Sequence, residues 1–285
     1  MTTRSAGGTT VLLTGASSGI GAATALALDR AGMTVFAGVR DPANAAPLDR
    51  QSSDRLILLR LDITDQKSIA AAVTTLEEQL GGGGLDAVVN NAGEGIPGPL
   101  EILPLSQLRE QFEVNVIGQV AVTQAVLPLL RRAHGRIIFV GSIGGKIAVP
   151  LAGAYNASKY ALEAVADSWR QELAPDGIAV SLIEPAVMAT PIWAKAAGRV
   201  DHLLDDPGPE TARYRERLRS FQRTLRSQGK SGSSPSDVAD TILRALTAEH
   251  PRNRYAVGAS AKLVSALRPL IPDWLLDAVG RRITR

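Results

Sequence analysis

The chain has 285 residues, 45% of them apolar, and a formal charge of only +3 with a sequence pI near 9.4. That length supports a sizeable core in one α/β domain, and so small a basic bias gives no case for nucleic-acid binding. The absence of cysteine excludes disulfides, thiolate catalysis and cysteine metal sites, and His134, His202 and His250 lie too far apart for a zinc centre, so no metal is expected.

Residues 1–9 read as a loose polar tail with no signal-peptide apolar region, and the cysteine-free composition permits a reducing cytoplasm, where the protein is expected. No uninterrupted apolar run approaches the ~20 residues that span a bilayer. Val11-Leu12-Leu13 suits a buried strand, and the alanine-rich stretch Ala22 to Leu28 suits a helix. Between them lies Thr14-Gly15-Ala16-Ser17-Ser18-Gly19-Ile20-Gly21. Strand, glycine loop, helix is the context of a dinucleotide fingerprint. Gly15 permits the tight turn, Gly19 lets the backbone approach a pyrophosphate, and Gly21 lets the helix sit close to the sheet. Ser17, Ser18 and Ile20 complete the candidate cradle, with the helix N-terminus offering N–H groups to phosphate. A glycine turn that binds nothing is the alternative. No Gly-Lys-Ser/Thr ending follows, which disfavours a P-loop.

Candidate strands continue over Thr34 to Val39, Leu56 to Leu61, Leu85 to Asn90, Arg136 to Val140, Ala179 to Glu184 and Arg254 to Val257. With the first they make seven, continuously apolar as in a sheet covered on both faces. Helical stretches separate them. The fold class is therefore α/β, a doubly wound seven-stranded parallel sheet of Rossmann type in a single domain over residues 10–260. The second strand ends Gly38-Val39-Arg40-Asp41; Arg40 suits a cofactor 2′-phosphate, with Ser17 adding a hydrogen bond. NADP(H) is thus favoured and NAD(H) remains possible, because Asp41 can take the ribose. Asp62 and Ile63 follow the third strand, where Asp62 can also be an N-cap. Asn90-Asn91-Ala92-Gly93 follows the fourth, at the carboxyl edge where ligands bind.

Asn115 sits inside a helical pattern from Ser106 to Arg131, although asparagine is a poor helix former. Ser142 follows the fifth strand. Tyr155 and Lys159, four residues apart, share one helix face. A free phenol ionises near pH ~10, and a fixed ammonium beside it lowers that value. Tyr155 is the candidate proton donor and acceptor, Lys159 its activator and a holder of the nicotinamide ribose, and Ser142 the group that orients the substrate oxygen. Glu184-Pro185-Ala186-Val187-Met188-Ala189-Thr190 follows the sixth strand.

Thr14 to Gly21, Asp62, Asn90 to Gly93, Asn115, Ser142, Tyr155, Lys159 and Pro185 to Thr190, in this order and spacing, resemble the short-chain dehydrogenase/reductases in their single-domain branch. The resemblance covers about Thr10 to Thr190. Asn91 to Gly95, Gly98 to Glu101 and Gly141 to Gly145 are similar to hydroxysteroid and retinol dehydrogenases. The family implies that Asp62 bonds the adenine amino group and that Ile63 packs there, while the small residues Asn91, Ala92 and Gly93 let the backbone lie near the cofactor ribose, a reading compatible with a structural role in fixing the central strands. It also implies a helix distortion at Asn115 that frees a carbonyl for a proton-relaying water; an exposed, idle Asn115 is the alternative. Pro185, the Val187 backbone and Thr190 are expected to contact the nicotinamide carboxamide or phosphates. The family usually has glycine after that proline, and Ala186 restricts positive φ there.

Residues 188–235 are placed to close over the nicotinamide as a lid. Their arginines Arg215, Arg219 and Arg223 fit a solvated helix face, with an anionic substrate group as the other reading. Residues 261–285 form an apolar extension interrupted by Arg268, Asp273 and Asp277, expected beside the cleft or against a second subunit. A weak membrane-surface helix is the alternative there. The function expected is transfer of a hydride between NADP(H) and a small apolar alcohol or carbonyl, of steroid, retinoid or fatty type, by a homodimer or homotetramer. A non-catalytic nucleotide-binding regulator and an epimerase or dehydratase on the same fold are the competing readings, which turnover of a simple ketone discriminates.

Overall fold

A computed structural model of the chain describes residues 7–283. Strand β1 (Thr10–Thr14) leads into α1 (Gly19–Arg30), β2 (Thr34–Val39), the short α2 (Ala46–Asp49), β3 (Leu56–Arg60), α3 (Gln66–Leu80) and β4 (Ala87–Asn90). Helices α4 (Leu105–Phe112) and α5 (Gly118–Ala133) follow, joined by a π-helical turn over Glu113–Ile117. Then come β5 (Arg136–Val140), α6 (Gly153–Glu172), β6 (Ala179–Pro185), α7 (Ile192–Leu204), α8 (Pro209–Ser231), α9 (Pro235–Thr247), β7 (Arg254–Val257), α10 (Ala259–Leu267) and α11 (Asp273–Ile283).

The strands lie in the order β3-β2-β1-β4-β5-β6-β7, all neighbours parallel. This is the doubly wound sheet expected, with its strand order reversing between β1 and β4. Such a reversal opens a crevice at the carboxyl ends of the strands. Side-chain alternation sorts the strand residues into two cores. Val11 and Leu13 of β1, with Val35, Ala37 and Val39 of β2, pack on Ala25 and Leu28 of α1 and on Val238 and Ile242 of α9. Leu12 and Phe36 point the other way, joining Val88 and Phe139 against α3, α5 and α6 through Ile69, Leu76, Val126, Leu130 and Leu162.

Strand β4 starts two residues later than the apolar run suggests, because the Leu85 N–H turns aside to the Leu129 carbonyl at 3.0 Å. The helix from Leu105 to Ala133 is long and apolar enough to cross a membrane by length and composition. Its Val122, Val126, Leu129 and Leu130 are instead buried against the sheet. Helices α7 and α8 close an apolar cluster of their own, with Ala197, Val200, Leu218, Phe221 and Leu225 around Leu151. Of the expected tail, residues 1–6 lie outside the described residues, as do 284 and 285 of the extension. Helix α11 lies against the segment before α6: a Cβ on Gly280 would sit 3.4 Å from Pro150. Leu263, Leu270 and Trp274 nearby stay exposed.

Candidate active site

The glycine loop runs between β1 and α1 at the strand-order reversal. Gly15 has φ +69° and passes so close to the β4 loop that a Cβ would lie 2.8 Å from Ala92 Cα. Gly21 is packed harder still, since its Cβ would fall 2.0 Å from the Gly15 carbonyl oxygen. Its requirement is thus closure of the loop on itself more than approach of helix to sheet. Ser18 is the N-cap of α1 yet makes no side-chain capping bond. Unpaired first-turn N–H groups and the positive end of the helix dipole make a ready anion cradle. Ser17 and Ser18 are exposed at its rim, with Gly19 and Ile20 partly buried behind them. Thr190 stands over the loop, its Cγ2 3.1 Å from where a Gly19 Cβ would be.

Thr14, which the sequence reading treats only as the loop's first residue, is a hub. Its hydroxyl accepts the N–H groups of Asn91 and Ala92, both at 3.0 Å. Asn91 Nδ2 in turn donates to the Thr14 and Gly15 carbonyls at 3.0 and 3.2 Å. The side chain of Asn91 therefore braces the loop, and Gln119 fixes Ala92 by donating to its carbonyl at 2.8 Å. Gly93 lies over the lysine: a Cβ there would be 3.8 Å from Lys159 Nζ.

Asn115, Ser142, Tyr155 and Lys159 converge at this edge. Asn115 falls in the π-helical turn, a distortion of the kind expected, and it is fully buried rather than idle. Its Oδ1 accepts the Glu94 N–H and its Nδ2 donates to the Glu94 carbonyl, both at 2.9 Å, and to Ser158 Oγ at 3.0 Å. Ser142 Oγ accepts the Gly144 N–H at 3.0 Å and stands beside Tyr155, since a Cβ on Gly144 would lie 3.3 Å from Ser142 Oγ and 3.1 Å from Tyr155 Cε1. Asn156, absent from the sequence reading, secures the same turn by donating to the Gly144 and Ile147 carbonyls. No motif singles it out; only its burial does.

Electrostatics here differ from the expectation for the Tyr–Lys pair. Burial pushes the Tyr155 phenol above its ordinary value, and the neighbouring Ser142 hydroxyl draws it partly back. Lys159 Nζ lies 5.9 Å from the phenol ring centroid and donates to the Val140 carbonyl at 2.9 Å. Burial lowers Lys159 itself to about 8. Desolvation dominates at both groups, so the protein's own field keeps the phenol protonated at neutral pH.

At the end of β2, Asp41 is turned into its own loop, accepting the Ala43 N–H at 3.0 Å and the Asn44 amide at 2.9 Å. Arg40 is exposed, and its charge reaches Asp62. Asp62 does not cap α3; Asp65 does, by accepting the Lys67 N–H. Asp62 Oδ1 instead accepts the N–H and hydroxyl of Thr64, and these bonds hold its pKa down against the upward push of burial. Ile63 is buried and lies under α5, where a Gly118 Cβ would be 2.6 Å from its carbonyl.

Beyond Pro185 the chain keeps to β7: the Ala186 N–H donates to Val257 O at 2.9 Å. Ala186 has no positive φ, so alanine in place of glycine costs no backbone strain. The Val187 carbonyl accepts the Ser233 N–H at 3.0 Å and the Ala189 N–H donates to Ser233 O at 2.8 Å, tying residues 190–232 into a closed neck. Arg215 caps α7 through the Leu204 and Asp206 carbonyls, while Arg219 and Arg223 are exposed, in keeping with a solvated face. Arg199 of α7 reaches across to Glu94 at 2.9 Å and Glu110 at 2.7 Å. No group of three or more His, Asp or Glu side chains among the described residues is placed to hold a metal.

A family profile described as short chain dehydrogenase matches residues 9–200. Retinol dehydrogenase 16 of Mus musculus is 37% identical over 275 residues, which cover 94% of this chain and 86% of that protein. A short-chain dehydrogenase/reductase from Burkholderia phymatum, solved in complex with NAD, is 24% identical with a TM-score of 0.80 over 94% of this chain and 95% of its own. A short chain dehydrogenase from Burkholderia cenocepacia in complex with NADP is also 24% identical, with a TM-score of 0.74 over 99% of this chain and 100% of its own. At those identities the two structures speak for the fold alone.

Proposed function

Because the chain belongs to the short-chain dehydrogenase family and is an oxidoreductase acting on CH–OH groups, we propose that it transfers a hydride between NADP(H) and an apolar alcohol or carbonyl. The substrate class is steroid, retinoid or fatty carbonyl. The observation that carries this reading is the convergence of Ser142, Tyr155 and Lys159 at the carboxyl edge, beside the glycine cradle.

The residues present fit a dinucleotide. The uncapped first turn of α1 suits its pyrophosphate, Asp62 its adenine, and Thr190 stands where the phosphates or carboxamide would lie. Arg40 is left to a 2′-phosphate, since both Asp41 carboxylate oxygens are committed to the loop. When bound, the nicotinamide supplies or accepts the hydride. Tyr155, protonated at neutral pH, gives its proton to the carbonyl oxygen in reduction and takes one back in oxidation. Ser142 Oγ, already accepting from Gly144, directs its own proton to that oxygen. Lys159 keeps a positive charge behind the phenol, and Asn115 fixes the Glu94 segment that passes in front of it. Residues 188–235 act as the lid. The apolar substrate class rests on the likeness to a retinol dehydrogenase and on Leu100, 63% exposed against Gly153 at the start of the tyrosine's helix.

The test is a panel of steroids, retinoids, fatty aldehydes and simple ketones with each nicotinamide, followed by cofactor absorbance. Turnover of apolar carbonyls with NADPH preferred is expected. Arg40→Ala should weaken NADPH about 10-fold or more, the order of one lost charge-assisted contact, and leave NADH nearly unchanged. Equal losses with both cofactors remove Arg40 from selectivity.

A further inference from the structure

Behind the catalytic edge lies a half-buried ionic network, with only Glu184 fully buried, that the chemistry above does not use. Lys146 leaves the turn that Ser142 opens, and its Nζ lies 3.2 Å from Glu163 Oε2 and 3.0 Å from Glu184 Oε1. Glu163 is on α6, one turn beyond Lys159 and two beyond Tyr155, on the same face. Glu184 is the residue before Pro185, at the end of β6, and is 2% exposed. Arg254 of β7 seals the far side, 3.0 Å from Glu163, 3.4 Å from Glu184 and 2.7 Å from Asp167. Arg170 pairs with Asp167, Ser265 of α10 donates to Glu184 at 3.2 Å, and Arg268 donates to the Lys146 carbonyl at 3.2 Å. The turn itself lies directly on α6, since a Gly145 Cβ would be 2.9 Å from the Lys159 carbonyl.

One ammonium thus joins three segments that each carry part of the site: the Ser142 turn, the helix of Tyr155 and Lys159, and the strand end that opens the nicotinamide loop. We propose that Lys146 is a positioning residue for the reaction, holding the Ser142 hydroxyl against the Tyr155 phenol. Its carboxylate partners are fixed from the other side by Arg254, so Lys146 is the member that transmits their rigidity to the serine. Around the phenol, α6 contributes Lys159, the Ser142 turn contributes the serine hydroxyl, and the β4 loop contributes the Glu94–Gly95 backbone, with a Gly95 Cβ 3.8 Å from the ring. Both Ser142 Oγ and the phenol ring flank Gly144, 3.3 and 3.1 Å from where its Cβ would be, so letting the serine drift removes a hydroxyl that stabilises the phenolate and the phenol becomes harder to ionise.

The kinetic consequence rests on the alcohol-oxidising reading; the positional claim is tested without it. Tyrosine labelled with ¹³C at Cζ gives a signal for each of the four tyrosines, and Tyr155→Phe identifies the one that matters. The proteins are titrated with NADP+ present. Lys146→Arg, Lys146→Met and the double variant Lys146→Met/Glu163→Gln are compared with wild type. The double variant removes one charge of each sign, so no carboxylate is stranded in the network.

The Tyr155 midpoint is expected to rise by about half to one unit in Lys146→Met and in the double variant, and to return towards wild type in Lys146→Arg. The alkaline rise of kcat/KM for alcohol oxidation should move by the same amount, with NADP+ affinity within about twofold. A cooperatively folded double variant with the wild-type midpoint overturns the proposal. So does a double variant that no longer folds, because Lys146 is then a folding residue. Failure of the functional reading looks different: wild type turns over no alcohol, or Tyr155→Phe keeps full activity, while the midpoint shift still stands.

Discussion

Tyr155 and Lys159 show how far a single residue can be read from its type and spacing. Their separation of one helical turn places them together, but their charges depend on burial, which spacing does not encode. The phenol is held protonated and the ammonium is held at a cost. Tyr155→Phe keeps the ring and deletes the proton, so turnover should fall by at least about 10³-fold, within the range of general acid–base catalysis. Cofactor affinity, measured by fluorescence titration, should stay within about twofold, about 0.4 kcal/mol. Full activity in this variant removes Tyr155 from the chemistry. Lys159 makes the complementary prediction. Its folded pKa of about 8 lies below the ordinary 10.5, so below pH 8 its burial costs about 3 kcal/mol. That cost is relieved as pH rises from 8 towards 10.5. Lys159→Met, measured without cofactor at pH 7, should therefore melt a few degrees higher, after about 1 kcal/mol is lost with the Val140 hydrogen bond. The advantage should shrink above pH 8. A lower Tm at pH 7 contradicts the desolvation account. Asn91 was legible as a residue near the site, but the carbonyls it holds join positions more than seventy apart, which no local pattern reports.

Elements were more legible than the ties between them. The seven strands appear in the sequence as apolar runs bounded by helices, because a sheet buried on both faces demands apolarity at every position. The distortion at Asn115 came from likeness to a family; the residues alone say only that asparagine suits a helix poorly. Helices α7 and α8 were readable as a lid region but not as a unit with its own apolar cluster and a neck at Val187, Ala189 and Ser233. Arg199 ties α7, in the proposed lid, to the opposite wall, where the Glu94 backbone is pinned by Asn115 and Gln111. Burial raises the Glu94 carboxyl and Arg199 partly offsets it. Because Arg199 and Glu110 are substantially exposed, breaking the clasp should cost little global stability, under about 1 kcal/mol. Its effect belongs to opening. Arg199→Ala should accelerate NADPH release several-fold in a stopped-flow chase, with about 2 °C or less lost in Tm. An unchanged release rate assigns Arg199 to the surface and removes it from the proposed lid.

At the scale of the molecule, the sheet has two edges, and each is fastened by a carboxylate. Asp167 receives Arg254 at the β7 edge. At the β3 edge, Asp29 of α1 accepts the Ser53 N–H at 2.9 Å and the Ser53 hydroxyl, tying the helix to the turn that enters β3. Neither fastening shows in the sequence, where Asp29 is one more polar residue near a helix end and Arg254 lies 87 residues from its partner. Burial would raise Asp29, but the Ser53 hydrogen bonds and Arg55 outweigh it, and its folded pKa falls below the ordinary 3.8. The sign follows from that direction. The folded state holds the Asp29 proton more weakly than the unfolded chain does, so its contribution is fully present above pH 3.8 and is lost as pH falls through the lower folded value. Asp29→Asn should lower the urea midpoint at pH 7 by an amount equivalent to about 1.5–3 kcal/mol, the scale of hydrogen bonds to a buried charge. The difference should narrow in any buffer acidic enough to protonate Asp29 in the wild type. Glu94 and Glu163 pull the other way, since burial raises both and the stability they contribute is lost as pH rises through their folded values. They are unchanged in the Asp29→Asn variant, so they cancel from the comparison. A gap in urea midpoint that stays constant from pH 7 into the acid range means that shape, not charge, holds the β3 edge.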